Sequence, residues 1–397
     1  MSQFTKAVHV GDRKKAGDHI PTTTPIYTAT SYSYESVETL DKIFGHELAG
    51  QSYARYENPT NAALEEVTTA LEGGAGSLAC ASGMAALQAA ITVALLDRPK
   101  SILAASDLYG ATISLLMKIF DPMGVAVRFV NICDLAAIEA ALAETKTGVL
   151  LMETVSNPVL RVGAIDKISE IAKKTNTGVI VDNTFASPLL IRPIELGAAF
   201  SVHSATKYLA GHGDVLGGLI VADAEHIEPL RAYARIAGPL MGPFEAYLTM
   251  RGIKTFPLRM ERQCQNACRV ANWLATHPRV DKVFFTGDPL HPDAAVIARL
   301  FPKNLHGAIV SFEIKDADKQ DVFRFMDSLK MLVRGTSLGD VHSMALYPLI
   351  SSHRDLPAKQ RARMGMKDNL VRISAGIEAV EDIIADIDQA LLPAATA

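Results

Sequence analysis

The chain has 397 residues, 49% of them apolar, with 39 Lys and Arg against 43 Asp and Glu and a formal net charge of −4. That length exceeds one ordinary hydrophobic core, and the mixed, nearly balanced charge excludes a polyelectrolyte surface for nucleic acid or anionic lipid, so a small molecule is the expected partner. No window reaches the roughly 18 uninterrupted apolar residues of a membrane span, and the start MSQFTKAVHVGDRKK lacks an apolar signal core, so a cytoplasmic protein is expected.

Residues 1–60 read as an irregular arm rich in Thr, Tyr and Pro, of the kind that wraps a neighbour. From Asn61 the spacing Leu64, Val67, Leu71 predicts a helix that Gly73-Gly74 ends. A strand-like run, Leu78 to Ala81, follows, and Ser82-Gly83-Met84 opens another helix. Strands at Ile102–Ala105, Val125–Val130 and Val149–Met152 then alternate with helices at Tyr109–Phe120 and Leu135–Leu142. The pattern continues through a helix at Ile165–Lys174 and strands at Gly178–Val181 and Phe200–His203. Short, continuously apolar strands between helices predict a mostly parallel sheet covered on both faces.

After Thr249 a long helix, strands at Ala308–Glu313 and Leu370–Ser374, a helix near Val322–Leu329 and a last one at Val380–Leu391 predict a smaller α+β domain. The Ala-rich tail beyond is expected to fray. Cys80, Cys133, Cys264 and Cys268 are sparse and form no paired C-x-x-C set, so no metal is expected. Cys264 and Cys268, at i and i+4, read as two ordinary helix-face residues.

In α/β sheets ligands collect at the carboxyl ends of strands. Two ends here are unusually polar: the run to Asp182-Asn-Thr184, and Ser201-Val-His203-Ser204-Ala-Thr206-Lys207. Spacing alone is also compatible with an ion pair closing the sheet edge. Ser204, Thr206 and the glycines Gly211, Gly213, Gly217 and Gly218 instead surround the lysine with donors suited to an oxyanion. Pyridoxal phosphate requires an amine, an acid for its pyridine nitrogen, an anion cradle and a flat ring partner. Lys207, Asp182, the turn Ser82-Gly83-Met84 and Tyr109 are candidates for these four tasks, although an isolated Tyr at a helix start also serves ordinary packing.

The strings Tyr53-Ala-Arg55-Tyr-Glu-Asn58-Pro59-Thr60, Ala81-Ser82-Gly83-Met84, Val181-Asp182-Asn-Thr184 and Ser204-Ala-Thr206-Lys207-Tyr-Leu-Ala-Gly-His-Gly-Asp resemble the Cys/Met-metabolism family of pyridoxal phosphate enzymes along nearly the whole chain. The resemblance implies a fold-type I enzyme with the arm 1–60 on a neighbouring subunit, a cofactor-binding α/β domain at 61–249 and an α+β domain at 250–397. It implies that Lys207 is the Schiff-base lysine, Asp182 with Thr184 the pyridinium partner, and Tyr109 the stacking and proton-transfer residue. Ser82, Gly83, Met84, Ser204 and Thr206 would form the phosphate cradle, completed across a dimer by Tyr53 and Arg55 of the partner, with dimers paired into a homotetramer. Arg372 would grip the substrate carboxylate, helped by Ser337 and Asn157, with Tyr53 and Thr336 also near substrate. Read without the family, Arg372 is a half-exposed strand arginine.

Three positions depart from familiar members. Ala111 stands where methionine γ-lyases carry a cysteine, Thr336 where cystathionine-handling members carry a glutamate, and Tyr233-Ala234-Arg235 where methionine γ-lyases have a Lys-Asp pair. The implied reaction is γ-elimination on a sulfur-containing or homoserine-type amino acid, including cleavage such as that of canavanine, or alternatively γ-replacement on an O-acylhomoserine. His353 and Arg354 read as entrance-loop residues, with direct contact to substrate as the alternative.

Overall fold

The computed structural model describes residues 1–15, 18–45, 47–354 and 357–392, so the Ala-rich tail at 393–397 lies outside the described residues. The larger sheet contains β1 (Gly76–Cys80), β2 (Ser101–Ala105), β3 (Ala126–Val130), β4 (Val149–Glu153), β5 (Gly178–Asp182), β6 (Phe200–Ser204) and β7 (Gly218–Ala222), in the order β1-β7-β6-β5-β4-β2-β3. Its strands run in one direction except β7, which pairs antiparallel with both β1 and β6. The sheet is therefore mostly parallel, as the alternating apolar runs predict, and the reversed β7 is a strand that the sequence reading does not contain. Gly218 opens it, opposite Cys80 on one side and Ser204 on the other.

One topological consequence matters for function. The carboxyl ends of β1, β4, β5 and β6 emerge along one edge, followed respectively by Ala81, Thr154, Asn183 and Ala205. The helix Gly83–Ala94 packs across β6 and β7, and its residues Ala86, Ala89 and Ala90 are fully buried. Their i, i+3, i+4 spacing presents a stripe of small side chains, which lets the helix lie close against the sheet and brings its first turn to the edge.

The smaller sheet is ordered β10-β11-β12-β9-β8, from β8 (Val280–Phe284), β9 (Ile309–Ile314), β10 (Val333–Arg334), β11 (Met344–Leu346) and β12 (Leu370–Ser374). The 19-residue helix Phe256–Leu274 bridges the two cores: Phe256, Met260 and Cys264 belong to the larger one, Ala267, Val270, Ala271 and Leu274 to the smaller. Cys264 is buried and its thiol is pushed up to about 12 by desolvation, as suits a packing residue.

Two local expectations need correction. The arm is not wholly irregular: Gln3–His9 and Val37–Phe44 are helical, each started by a serine whose hydroxyl accepts a first-turn N–H. Both are too short for a periodic apolar signal. The predicted helix Tyr109–Phe120 is α-helical only over Gly110–Leu115 and widens to a π-turn over Leu116–Phe120. No helix among the described residues is long and apolar enough to cross a membrane.

Candidate active site

The edge where the strand ends converge holds a cavity of about 210 Å³. It is lined by Ser82, Gly83, Met84, Tyr109, Asn157, Asp182, Thr184, Ser204, Thr206, Lys207, Thr336 and Arg372, which brings together twelve of the fifteen residues singled out from sequence. Ser337 joins them through a hydrogen bond to Lys207. Tyr53 and Arg55 do not line it within this chain. Arg55 instead donates to the Arg235 carbonyl and lies over the rings of Tyr53 and Tyr56, at 5.4 and 5.1 Å from their centroids.

Asp182 ends β5 and accepts a hydrogen bond from the Thr184 N–H at 3.0 Å. The Thr184 hydroxyl in turn accepts from the Ser204 N–H at 2.8 Å, so one threonine locks the ends of β5 and β6 together. Burial raises the Asp182 pKa, against the hydrogen bonds from Thr184 and the nearby His203. A desolvated carboxyl at a cavity wall is a site prepared for a cation.

Lys207 lies on the turn after β6, and its Nζ donates to the Ser337 hydroxyl at 2.7 Å. Desolvation, reinforced by Arg372, lowers its pKa to about 8. Arg372 on β12 is only 3% exposed, so the half-exposed reading is wrong; apolar neighbours in sequence line its strand, and the domain interface covers it. Its Nη1 donates to Asn157 Oδ1 at 2.9 Å and its Nη2 to the Ser337 carbonyl at 3.1 Å. Among the described residues its Nε has no partner and no carboxylate forms an ion pair with it. Burial lowers its pKa to about 10. A buried guanidinium left with a free N–H and only neutral partners lacks one thing, an anion.

The opposite wall is a cradle. Ser82 caps the helix Gly83–Ala94 by accepting from the Ala85 N–H at 3.1 Å, while the N–H groups of Gly83 and Met84 have no partner among the described residues. A Cβ at Gly83 would come within 3.0 Å of Ser204 Cα and Cβ, so only glycine lets the helix start reach β6. The Thr206 hydroxyl accepts from the Gly217 N–H at 3.0 Å, which fixes it beside these donors. Amine, buried acid, exposed tyrosine ring and a cradle of free N–H groups and hydroxyls together match the donor set that pyridoxal phosphate needs.

The cavity also contains residues that sequence reasoning missed. Phe185 lies under the Arg372 guanidinium at 5.7 Å, Leu216 and Leu346 add apolar wall, and Glu153 brings a second carboxyl. Glu153 carried the signal that marked Asp182, an acid ending an apolar strand. His353 is corrected too. It is fully buried rather than at an entrance, bridging the Asn157 carbonyl at 3.0 Å and the Ser352 hydroxyl at 2.8 Å.

Burial lowers the His353 pKa to about 4, so the unfolded chain binds the extra proton as pH falls below the ordinary histidine value. Its contribution to stability is present at neutral pH and is lost on acidification from about 6.5 toward 4. Between pH 7 and 4, His353→Gln is expected to lose on the order of 3 kcal/mol less unfolding free energy than the wild type, measured by urea titration.

Comparisons with known proteins converge. The family model described as Cys/Met metabolism PLP-dependent enzyme matches residues 4–392. The L-methionine gamma-lyase of Pseudomonas putida is 37% identical over 391 residues, covering 98% of this chain and 96% of the relative. The chloroplastic cystathionine gamma-synthase 1 of Arabidopsis thaliana is 38% identical over 393 residues, covering 98% of this chain and 69% of the relative. A crystal structure from Campylobacter jejuni, provisionally an O-acetylhomoserine (thiol)-lyase, contains N′-pyridoxyl-lysine-5′-monophosphate. It superposes with a TM-score of 0.92 at 28% identity, over 98% of this chain and all of that one.

Proposed function

The chain belongs to the Cys/Met metabolism family of pyridoxal phosphate-dependent enzymes, and on that premise we propose that it catalyses γ-elimination on a sulfur-containing or homoserine-type amino acid, yielding a 2-oxo acid and ammonia. The observation that carries this reading is one cavity in which a desolvated Lys207 faces Asp182, Tyr109 and an arginine without an anion. The second reading is γ-replacement on an O-acylhomoserine, favoured by the similar identity to the plant synthase.

Bound pyridoxal phosphate supplies an electron sink for the charge left when a proton departs from the substrate Cα. The side chains do the rest. Arg372, steadied by Asn157 and the Ser337 carbonyl, takes the substrate carboxylate into its fork and sets the Cα–H toward Lys207. Lys207 removes that proton and moves a second one from Cβ, with the Ser337 hydroxyl holding its amine in place. Asp182 holds a proton on the pyridine nitrogen. Tyr109 gives a proton to the leaving group at Cγ. The side-chain end of the substrate meets Thr336, Ser352 and Leu216.

Incubation with methionine, cystathionine, canavanine, O-acetylhomoserine and O-succinylhomoserine, with and without sulfide, tests the reading. Oxo acid formed without a thiol supports elimination. A new thioether or thiol amino acid, formed only when sulfide is present, gives the reaction to replacement. No product from any member sinks both.

In this reading the arm 1–60 reaches a neighbouring subunit, where Tyr53 and Arg55 complete the phosphate cradle of an obligate dimer, itself paired into a tetramer. The α/β unit 61–249 carries the cofactor, the unit 250–397 supplies the carboxylate clamp, and the enzyme works in the cytoplasm. Arg55→Ala is accordingly expected to raise the cofactor Kd about 30-fold, a loss of ~2 kcal/mol for a charge-assisted phosphate contact, without dissociating the dimer. Equilibrium dialysis combined with light scattering checks it; unchanged affinity in a confirmed dimer counts against the placement.

A further inference from the structure

Glu153 closes β4 at the cavity wall, and no step above uses it. It is buried, its register partner on β5 is Asp182, and it faces Asp107 as a further like charge. Burial and these neighbours drive its pKa well up. An acid in such a place is costly unless its oxygens are needed. They are used: Oε1 accepts the Tyr109 N–H at 2.6 Å, and the Asn157 N–H lies near enough to favour the ionised carboxyl.

Those two N–H groups belong to different loops. Tyr109 stands at the start of the helix Gly110–Leu115, where no side chain of its own caps the turn. Asn157 lies on the loop after β4, gives Oδ1 to Arg372 and its carbonyl to His353. Tyr109, Glu153, Asn157 and Arg372 thus form a continuous chain of polar contacts from one side of the cavity to the other.

We propose that Glu153 is a positioning residue, whose single carboxyl group ties the loop of the proton-donating tyrosine to the loop that orients the carboxylate-binding arginine. The inference rests on the roles given above to Tyr109 and Arg372. Losing the tie frees the tyrosine relative to the bound substrate, and misplacement of about 1 Å at a reacting group costs about 100-fold in rate.

Two variants of the full-length enzyme test it. In E153A, kcat is expected to fall about 100-fold and KM to rise severalfold, with the cofactor still attached through Lys207 and the cradle, which keep their own contacts. A general loss of structure would weaken cofactor binding as well. Amide exchange in the cofactor-free protein supplies a readout independent of activity. The segments 107–112 and 155–159 should exchange faster in E153A while Ile309–Ile314 is unchanged. E153Q keeps one carbonyl oxygen but loses the charge and the second acceptor, so it should speed exchange in at least one of the two segments and lose roughly tenfold in kcat.

Wild-type exchange at both segments in E153A overturns the proposal, as does an unchanged kcat in E153A. If E153A does not fold, unchanged exchange at both segments in E153Q overturns it instead. A wild type inactive on the whole substrate panel overturns the reaction assignment, while the exchange measurement still decides the role of Glu153.

Discussion

Lys207→Ala is expected to leave a folded protein that no longer holds pyridoxal phosphate covalently and whose kcat is lower by at least about 10⁴-fold, since in the proposed assignment one substitution removes both the attachment point and the base. The size of the effect follows from the environment of the amine. With its pKa lowered to about 8, about a tenth of Lys207 is uncharged at pH 7, some hundreds of times more than for an ordinary lysine. The capture of cofactor by the cofactor-free protein should therefore accelerate as pH rises through about 8 and level off above it, followed by the growth of visible absorbance. Continued acceleration to pH 10 would show that the amine is not desolvated as the structure places it.

Arg372→Ala is the second large effect, expected to lower kcat/KM by on the order of 10²–10³-fold, mostly through KM. In the proposed binding mode, removing the guanidinium leaves the substrate carboxylate in a buried site without a partner, and breaking such a charge pair costs ~2–5 kcal/mol. Lysine at this position should restore little. A point charge cannot donate to Asn157, to the Ser337 carbonyl and to a carboxylate in the planar geometry now seen. Initial-rate kinetics on whichever member of the panel reacts provide the check. A fall in kcat with unchanged KM would move Arg372 from binding to another role.

The residues proposed to hold the cofactor are legible in the sequence because each is a local pattern. Asp182 follows the apolar run Val179-Ile-Val181, Lys207 follows a run of hydroxyls, and Gly83 sits in a strand-to-helix turn, so chemistry and secondary structure are read from the same few positions. Arg372 is less legible. Its burial comes from the packing of one domain against the other, which its neighbours Val371 and Ile373 do not express. β7 escaped because a five-residue strand directly after a glycine cluster looks like the end of a loop, and its reversed direction depends on pairing with β1, about 140 residues away in sequence. Glu153 was visible in principle, since it ends an apolar strand as Asp182 does; what marks it as part of the site is its pairing beside Asp182, a property of sheet order. The arm is the opposite case. Its motif is specific, yet within one chain Arg55 lies away from the lysine, and the task proposed for it needs a second copy.

The central claim is that Lys207 is the residue that binds the cofactor. Borohydride reduction of the holoenzyme, followed by digestion and peptide mass mapping, tests it directly. The structure predicts a pyridoxyl phosphate group on the peptide containing Lys207 and on no other; a mark on a different lysine, or no mark on a protein that has taken up the cofactor, would contradict it.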